Sequence, residues 1–144
     1  MTTTRDELLR IYEQTGTIAV VGASASEDKA AHRIPRYLRS QGYRIIPVNP
    51  RGGTIVGEPA VTSLGEIDEP VDVVDVFRPS EETPEIARQA ARIGAKVLWL
   101  QEGIHSDEAQ RIAEEAGMTF ISDTCMGHTH YDLFHRDQDD VEGP

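Results

Sequence analysis

Five short apolar runs, at 17–21, 43–48, 71–77, 96–100 and 119–122, alternate along the chain with stretches whose apolar residues recur every three or four positions. Continuous aliphatic and β-branched runs suit strands buried on both faces, whereas the three-and-four spacing suits helices with one buried stripe. Such alternation leaves few folds open. Each strand must be followed by a crossover, crossovers are right-handed, and the strands therefore come out parallel with helices on both faces. The sequence predicts an α/β fold: a doubly wound, Rossmann-like three-layer sandwich around a five-stranded parallel sheet.

Local signals place the helices. Thr4-Arg5-Asp6-Glu7 has the spacing of a capping box ahead of a helix over about 5–14. Ile34, Tyr37 and Leu38 mark a second helix that Gly42 closes. Thr83 as cap with Pro84 in first position predicts a helix at about 84–93, and Ser106 followed by Asp107 and Glu108 predicts one at about 107–116. Pro47 removes a ladder donor, so its strand either ends there or lies toward an edge. Residues 50–65, with Gly52, Gly53, Gly57, Pro59 and Gly65, read as a long loop with one helical turn near 63–67. Residues 125–134 read as a polar segment over the sheet edge, and 135–144 as an acidic, disordered tail after a single domain spanning 1–134.

Charge and composition exclude several functions. With 14 Lys+Arg against 25 Asp+Glu the net charge is −11, which argues against a nucleic-acid binder, because that needs a basic stripe. No apolar run approaches the ~20 residues of a spanning helix, and the N-terminus lacks the basic start and apolar core of a secretory signal. The expectation is a cytoplasmic protein without membrane contact. Cys125 is the only cysteine, so no intramolecular disulfide forms.

Ligands of open parallel sheets bind beyond the carboxyl ends of the strands. The segments there are Gly22-Ala23-Ser24, Asn49-Pro50-Arg51, Arg78-Pro79-Ser80, Gln101-Glu102-Gly103 and Asp123-Thr124-Cys125. The first keeps one glycine of the dinucleotide fingerprint, with Ser24 and Glu27 in the other glycine positions. Its small residues suit a backbone approaching a diphosphate, and a plain tight turn is the competing reading. The second segment carries no acid to hold the ribose hydroxyls of NAD. Arg51 instead suits a phosphate on the adenosine ribose, as in NADP or coenzyme A. Lys29, Arg33, Arg51 and Arg78 all fall in or just after these loops, as a cationic site or as solvated surface charges.

The segments Gly22-Ala23-Ser24, Val48-Asn49-Pro50, Val74-Asp75-Val76-Phe77-Arg78 and Trp99-Leu100-Gln101-Glu102-Gly103, in this order and spacing, resemble the small stand-alone CoA-binding proteins. The fold of those proteins is similar to the CoA-binding domain of the succinyl-CoA synthetase alpha subunit. The resemblance covers about residues 10–134 and implies coenzyme A as cofactor. It puts Gly22, Ala23 and Ser24 on the diphosphate, and Asn49, Pro50, Phe77 and Arg78, with Pro79 in the same loop, on the adenosine side. Lys29, Arg33 and Arg51 become phosphate partners, and Gln101 and Gly103 border the pantetheine path. Many relatives carry a proline and a serine in the stretch that here reads Ser26 to Arg33, and Glu27 and Asp28 bring acids close to Lys29. The chain is too short for the synthetase's phosphohistidine domain or nucleotide-grasp partner. What is implied is a non-catalytic binding or sensing module for CoA or an acyl-CoA; the alternative is an NADP-dependent or CoA-thiol enzyme acting with a partner protein. A homo-oligomer is compatible with either.

Other constellations are weaker. Cys125, His128 and His130, with Asp123, Asp132 and His135 nearby, form a metal-ligand pattern without a second Cys/His pair. Cys125 reads either as a thiol able to meet the pantetheine sulfur or as an inert strand-end cysteine. No Ser-His-Asp order, paired catalytic carboxylates or phosphate-loop Gly-Lys-Ser/Thr is present. Asp72 and Asp75, three apart in a strand, point to opposite faces, and Trp99 reads as core.

Overall fold

The computed structural model describes residues 3–138 and 140–144. Its elements run α1 (Arg5–Gln14), β1 (Thr17–Val21), α2 (Ala30–Ser40), β2 (Arg44–Val48), β3 (Thr54–Ile55), β4 (Glu58–Pro59), β5 (Val73–Val76), α3 (Thr83–Arg92), β6 (Val97–Leu100), α4 (Asp107–Glu115), β7 (Thr119–Ile121) and α5 (Met126–Phe134). Five strands form one parallel sheet in the order β2-β1-β5-β6-β7. The expected fold is present. Chain order along the sheet reverses between β1 and β5, so the crossovers after these strands leave in opposite directions and open a crevice at their carboxyl ends.

The two faces carry separate cores. Ala19, Val74, Val76, Leu98 and Leu100 point toward α3 and α4, where Ala87, Ala90, Ala109 and Ala113 let the helices approach closely. Ile18, Val20, Val73 and Trp99 point the other way, against Tyr12 of α1, Ile34 and Leu38 of α2, and Met126 of α5. Each such large side chain removed from water contributes roughly 1.5–3 kcal/mol. Trp99 is core, as expected, and its indole N–H donates to the Thr124 carbonyl (2.8 Å).

Capping follows the sequence at α1 and α4, where Thr4 and Ser106 accept from Glu7 and Ala109 N–H. At α3 it does not. A 3-10 turn at Ser80–Glu82 runs directly into the helix, so Thr83 is its first residue and uses its hydroxyl to bond the Ser80 carbonyl. Pro47 is accommodated because β2 is an edge strand. Within the 50–65 loop β3 and β4 form a small hairpin, and the expected turn is a 3-10 turn at Leu64–Glu66. The largest departure is α5, a helix where a polar covering segment is expected. Tyr12 Oη donates to the Met126 carbonyl (2.7 Å), and Tyr37 Oη pairs with His130 Nδ1 (2.9 Å). Beyond it, Gly143 lies beside the Tyr131 ring. Among the described residues, no helix is long and apolar enough to cross a membrane.

Pro35 inside α2 has no N–H to offer the Ala31 carbonyl four residues back. That carbonyl instead accepts the Ser24 N–H (3.1 Å), while His32 Nδ1 donates to the Ser24 carbonyl (2.8 Å). A break in the helix ladder thus ties α2 to the loop after β1.

Register places Asp75 between Val20 and Trp99 on the α1/α2/α5 face, fully buried. Gln101 Nε2 donates to its Oδ1, and Oδ2 has no partner among the described residues. Burial raises the carboxyl from 3.8 to about 7, against a smaller opposing effect of the Gln101 bond. The folded chain therefore keeps a proton that the unfolded chain releases near pH 4, so stability falls as pH rises from about 4 to about 7 and then levels. In urea denaturation, Asp75→Asn should gain on the natural protein across that window, by up to about 4 kcal/mol. A stability difference flat from pH 4 to 8 contradicts the buried neutral acid.

Candidate functional site

Gly22 ends β1 where the crevice opens. Its φ of +88° is left-handed, and a Cβ added there would lie 2.9 Å from Arg78 Cδ and 3.1 Å from the Phe77 carbonyl oxygen. Only glycine lets the loops after β1 and β5 meet this closely. Asn49 ties in the third loop: its Nδ2 donates to the Ala23 carbonyl (2.9 Å), and its Oδ1 accepts the Arg51 N–H (2.8 Å). Both amide groups are engaged, so Asn49 acts first as a clamp between loops.

Two cavities flank this junction. The first, about 410 Å³, is lined on one side by Gly22, Asn49 and Pro50, and on the other by Arg78. Ser63, which precedes the 3-10 turn, and Leu64 within it also line this cavity, with Thr62, Glu82, and Ile86 and Gln89 from α3, none of them singled out by sequence. The second, about 440 Å³, lies toward α2 and α5 and includes Arg33, Phe77 and Gln101 with Cys125 and His128. Ala23 and Ser24 belong to the loop that joins them, Arg51 follows the lining residue Pro50, and Lys29 precedes the lining residue Ala30. Pro79 and Gly103 line neither cavity; Gly103 forms a turn whose N–H donates to Asp123 Oδ1 (2.7 Å).

Donors in the first loop divide into used and free. The N–H groups of Gly22 and Ser24 go to the Val48 and Ala31 carbonyls, and that of Ser26 to Ser24 Oγ. Those of Ala23 and Ala25 have no protein partner among the described residues. Such backbone donors at a glycine turn suit a diphosphate. The cations divide in the same way. Arg78 makes a two-bond pair with Glu82 (2.8 and 3.1 Å), which holds that carboxyl below its usual range. Among the described residues, Lys29, Arg33 and Arg51 make no salt bridge, although Arg33 bonds the Asp28 carbonyl.

The remaining patterns resolve into other contacts. Cys125 caps α5, accepting the His128 N–H (3.5 Å), and burial raises its thiol, so it is not an activated thiolate. His130 is buried on Tyr37, and desolvation lowers it to about 4. No group of three or more His, Cys, Asp and Glu side chains among the described residues is placed to hold a metal ion. Absent as a sequence order, a Ser-His-Asp row nevertheless forms in space: His105 Nδ1 meets Ser122 Oγ (2.9 Å) and Nε2 meets Asp107 Oδ1 (2.8 Å). The Asp107 side chain is 96% exposed, so water competes for the bond that would orient the imidazole.

Residues 16–131 match the CoA binding domain family. The chain is 40% identical over 124 residues to the uncharacterized protein YneT of Bacillus subtilis, covering 86% of this chain and 92% of that protein. It is 29% identical over 120 residues to the ADP-forming acetate–CoA ligase I of Archaeoglobus fulgidus, covering 76% of this chain but 18% of the ligase, so it spans about a fifth of such an enzyme. Among solved structures, cell-free ID.343 from Thermus thermophilus superposes with a TM-score of 0.87 at 41% identity, covering 93% of this chain and all of that one. The chain belongs to the CoA binding domain family.

Proposed function

We propose that this protein binds coenzyme A or an acyl-CoA through its ADP-diphosphate part, as a binding or sensing module. The observation that carries the reading is the junction at Gly22, where three loops meet between two cavities and leave the Ala23 and Ala25 N–H groups without a partner among the described residues. The diphosphate lies over Gly22, Ala23 and Ser24, accepting from the Ala23 and Ala25 N–H groups. Adenosine occupies the first cavity between Pro50, Leu64 and Ile86, flanked by Arg78. Arg51 meets the ribose phosphate, a role that its fixed, always-charged fork suits. The pantetheine arm crosses Phe77 into the second cavity, toward Gln101. Lys29 and Arg33 supply further positive charge along that path, and Pro79 and Gly103 shape the loops behind it.

The proposal takes from the acetate–CoA ligases the binding step alone. The competing reading, an NADP-dependent or CoA-thiol enzyme working with a partner protein, gains little from a raised Cys125 thiol and a solvent-screened histidine.

Calorimetric titration with CoA, dephospho-CoA, NADP and NAD separates the readings. CoA should bind at least tenfold more tightly than dephospho-CoA, and Arg51→Ala should erase that difference, since a charge-assisted bond contributes about 1.5–3 kcal/mol. Arg78→Ala should weaken both ligands, and binding of NADP in place of CoA overturns the assignment. Gly22→Ala should cost stability of about 1–3 kcal/mol through backbone strain and lower CoA affinity as the loops part. Unchanged affinity in that variant would show that the close approach is not part of the site.

A further inference from the structure

Gln101 follows the last residue of β6 and is only 4% exposed, yet it lines the second cavity. Its backbone is fixed on both sides: its N–H donates to the Val76 carbonyl (3.2 Å), and its carbonyl accepts the Ile104 N–H (3.0 Å). Its side-chain nitrogen is committed to Asp75 Oδ1, and its side-chain oxygen accepts from no described residue. Among the described residues, the buried, unpaired side-chain atoms comprise Asp75 Oδ2 and no atom of Gln101. The Gln101 oxygen is thus an unused acceptor open to the cavity.

Asp75 explains why that oxygen stays aimed. A primary amide can turn over, and the two orientations differ only in what they bond. The carboxyl fixed on the strand beside β6 accepts from the nitrogen, and once ionised, above about pH 7, it can only accept and so holds the nitrogen inward. The unpartnered Oδ2, in a core of Val20, Trp99 and Tyr12, is a cost that packing alone would not retain. An apolar residue there would pair equally well with Val20 and Trp99 in register.

We propose that Asp75 and Gln101 form a positioning pair for the pantetheine arm: Asp75 orients the Gln101 amide, whose oxygen accepts an N–H from one of the arm's amides. This rests on the reading of the crevice as a CoA site and extends it to a group outside the nucleotide. Pantetheine carries two secondary amides along a narrow chain, and a buried acceptor beside Ile34, Phe77 and Ile104, in a cavity that Arg33, Glu102, Cys125 and His128 also line, suits such a chain better than a plain hydrocarbon. The nucleotide part of the ligand is untouched by the pair.

The test compares CoA with adenosine 3′,5′-bisphosphate, which lacks the arm, by calorimetry on the full chain. Gln101→Leu and Asp75→Val should each weaken CoA about fivefold to tenfold, the loss expected for one hydrogen bond, and leave the bisphosphate unchanged. Their combination should cost little more than either alone, because the two residues act as one unit. Asp75→Asn keeps an oxygen to accept the Gln101 N–H and should restore CoA binding, so the pair stays testable even if Asp75→Val folds poorly. Equal losses for both ligands, or full CoA affinity in Gln101→Leu, overturn the pair while leaving the nucleotide site intact. Failure of the natural protein to bind either ligand overturns the CoA reading and the pair together.

Discussion

The crevice at the carboxyl ends of the strands depends on how closely β1 and β5 can bring their following loops together. The sheet order reverses between these strands, so their crossovers diverge and a crevice must open. How wide it opens is decided by a single missing Cβ. At Gly22 the backbone of one loop lies against the Phe77 carbonyl and the Arg78 stem of the other, in a conformation that side chains disfavour. Asn49 then pins the loop after β2 to the same point, and the Ser24–Ala31 bond pins α2. The site is an intersection of backbones, with side chains added around it.

On the proposed reading, a chain of net charge −11 offers an anion site chiefly through its backbone. Backbone N–H groups and a helix start carry partial positive charge without adding to the formal count. Elsewhere Arg39, Arg44, Arg88 and Arg92 are engaged by carboxylates, while Arg5, Arg10, Arg36, Arg111 and Arg136, like Lys29, Arg33 and Arg51 near the crevice, make no salt bridge among the described residues. Lack of a salt bridge therefore does not distinguish the crevice cations, which are marked by their place in or just after the loops beyond the strand ends. Arg78 is the exception, paired with Glu82 at the mouth of the first cavity, where an incoming phosphate would compete with a carboxylate for the same fork.

Much of the fold was legible because its signals are local and mutually consistent. Short aliphatic runs gave the five strands to within two residues at either end, and Thr4 and Ser106 gave helix starts that their hydroxyls cap. The placement of Pro47 on an edge strand follows from one missing donor. What escaped was set by tertiary contact. The α5 segment, Met126–Phe134, contains glycine, threonine and four polar or aromatic rings with weak helix preference, and it is helical because Tyr12 and Tyr37 hold it. Likewise, the loop ends pointed to Gly22, Asn49, Arg78 and Gln101, but Leu64, Ile86 and Gln89 reach the first cavity from a 3-10 turn and a helix face that carry no motif. Asp75 looked like a strand residue near its end; its burial and unpaired oxygen exist only once α1 and α5 close over it.

On the proposed reading, one ligand spans both cavities across the Gly22 junction. Amide chemical-shift mapping on isotope-labelled protein titrated with CoA tests this most directly. The predicted result is a contiguous set of shifted residues running from Arg51 and Leu64, through Gly22 to Ser24, to Gln101 and Cys125. Shifts confined to one cavity would contradict the spanning ligand, and shifts confined to the α2–Tyr131 side or to the His105–Ser122 row would place binding elsewhere on the molecule.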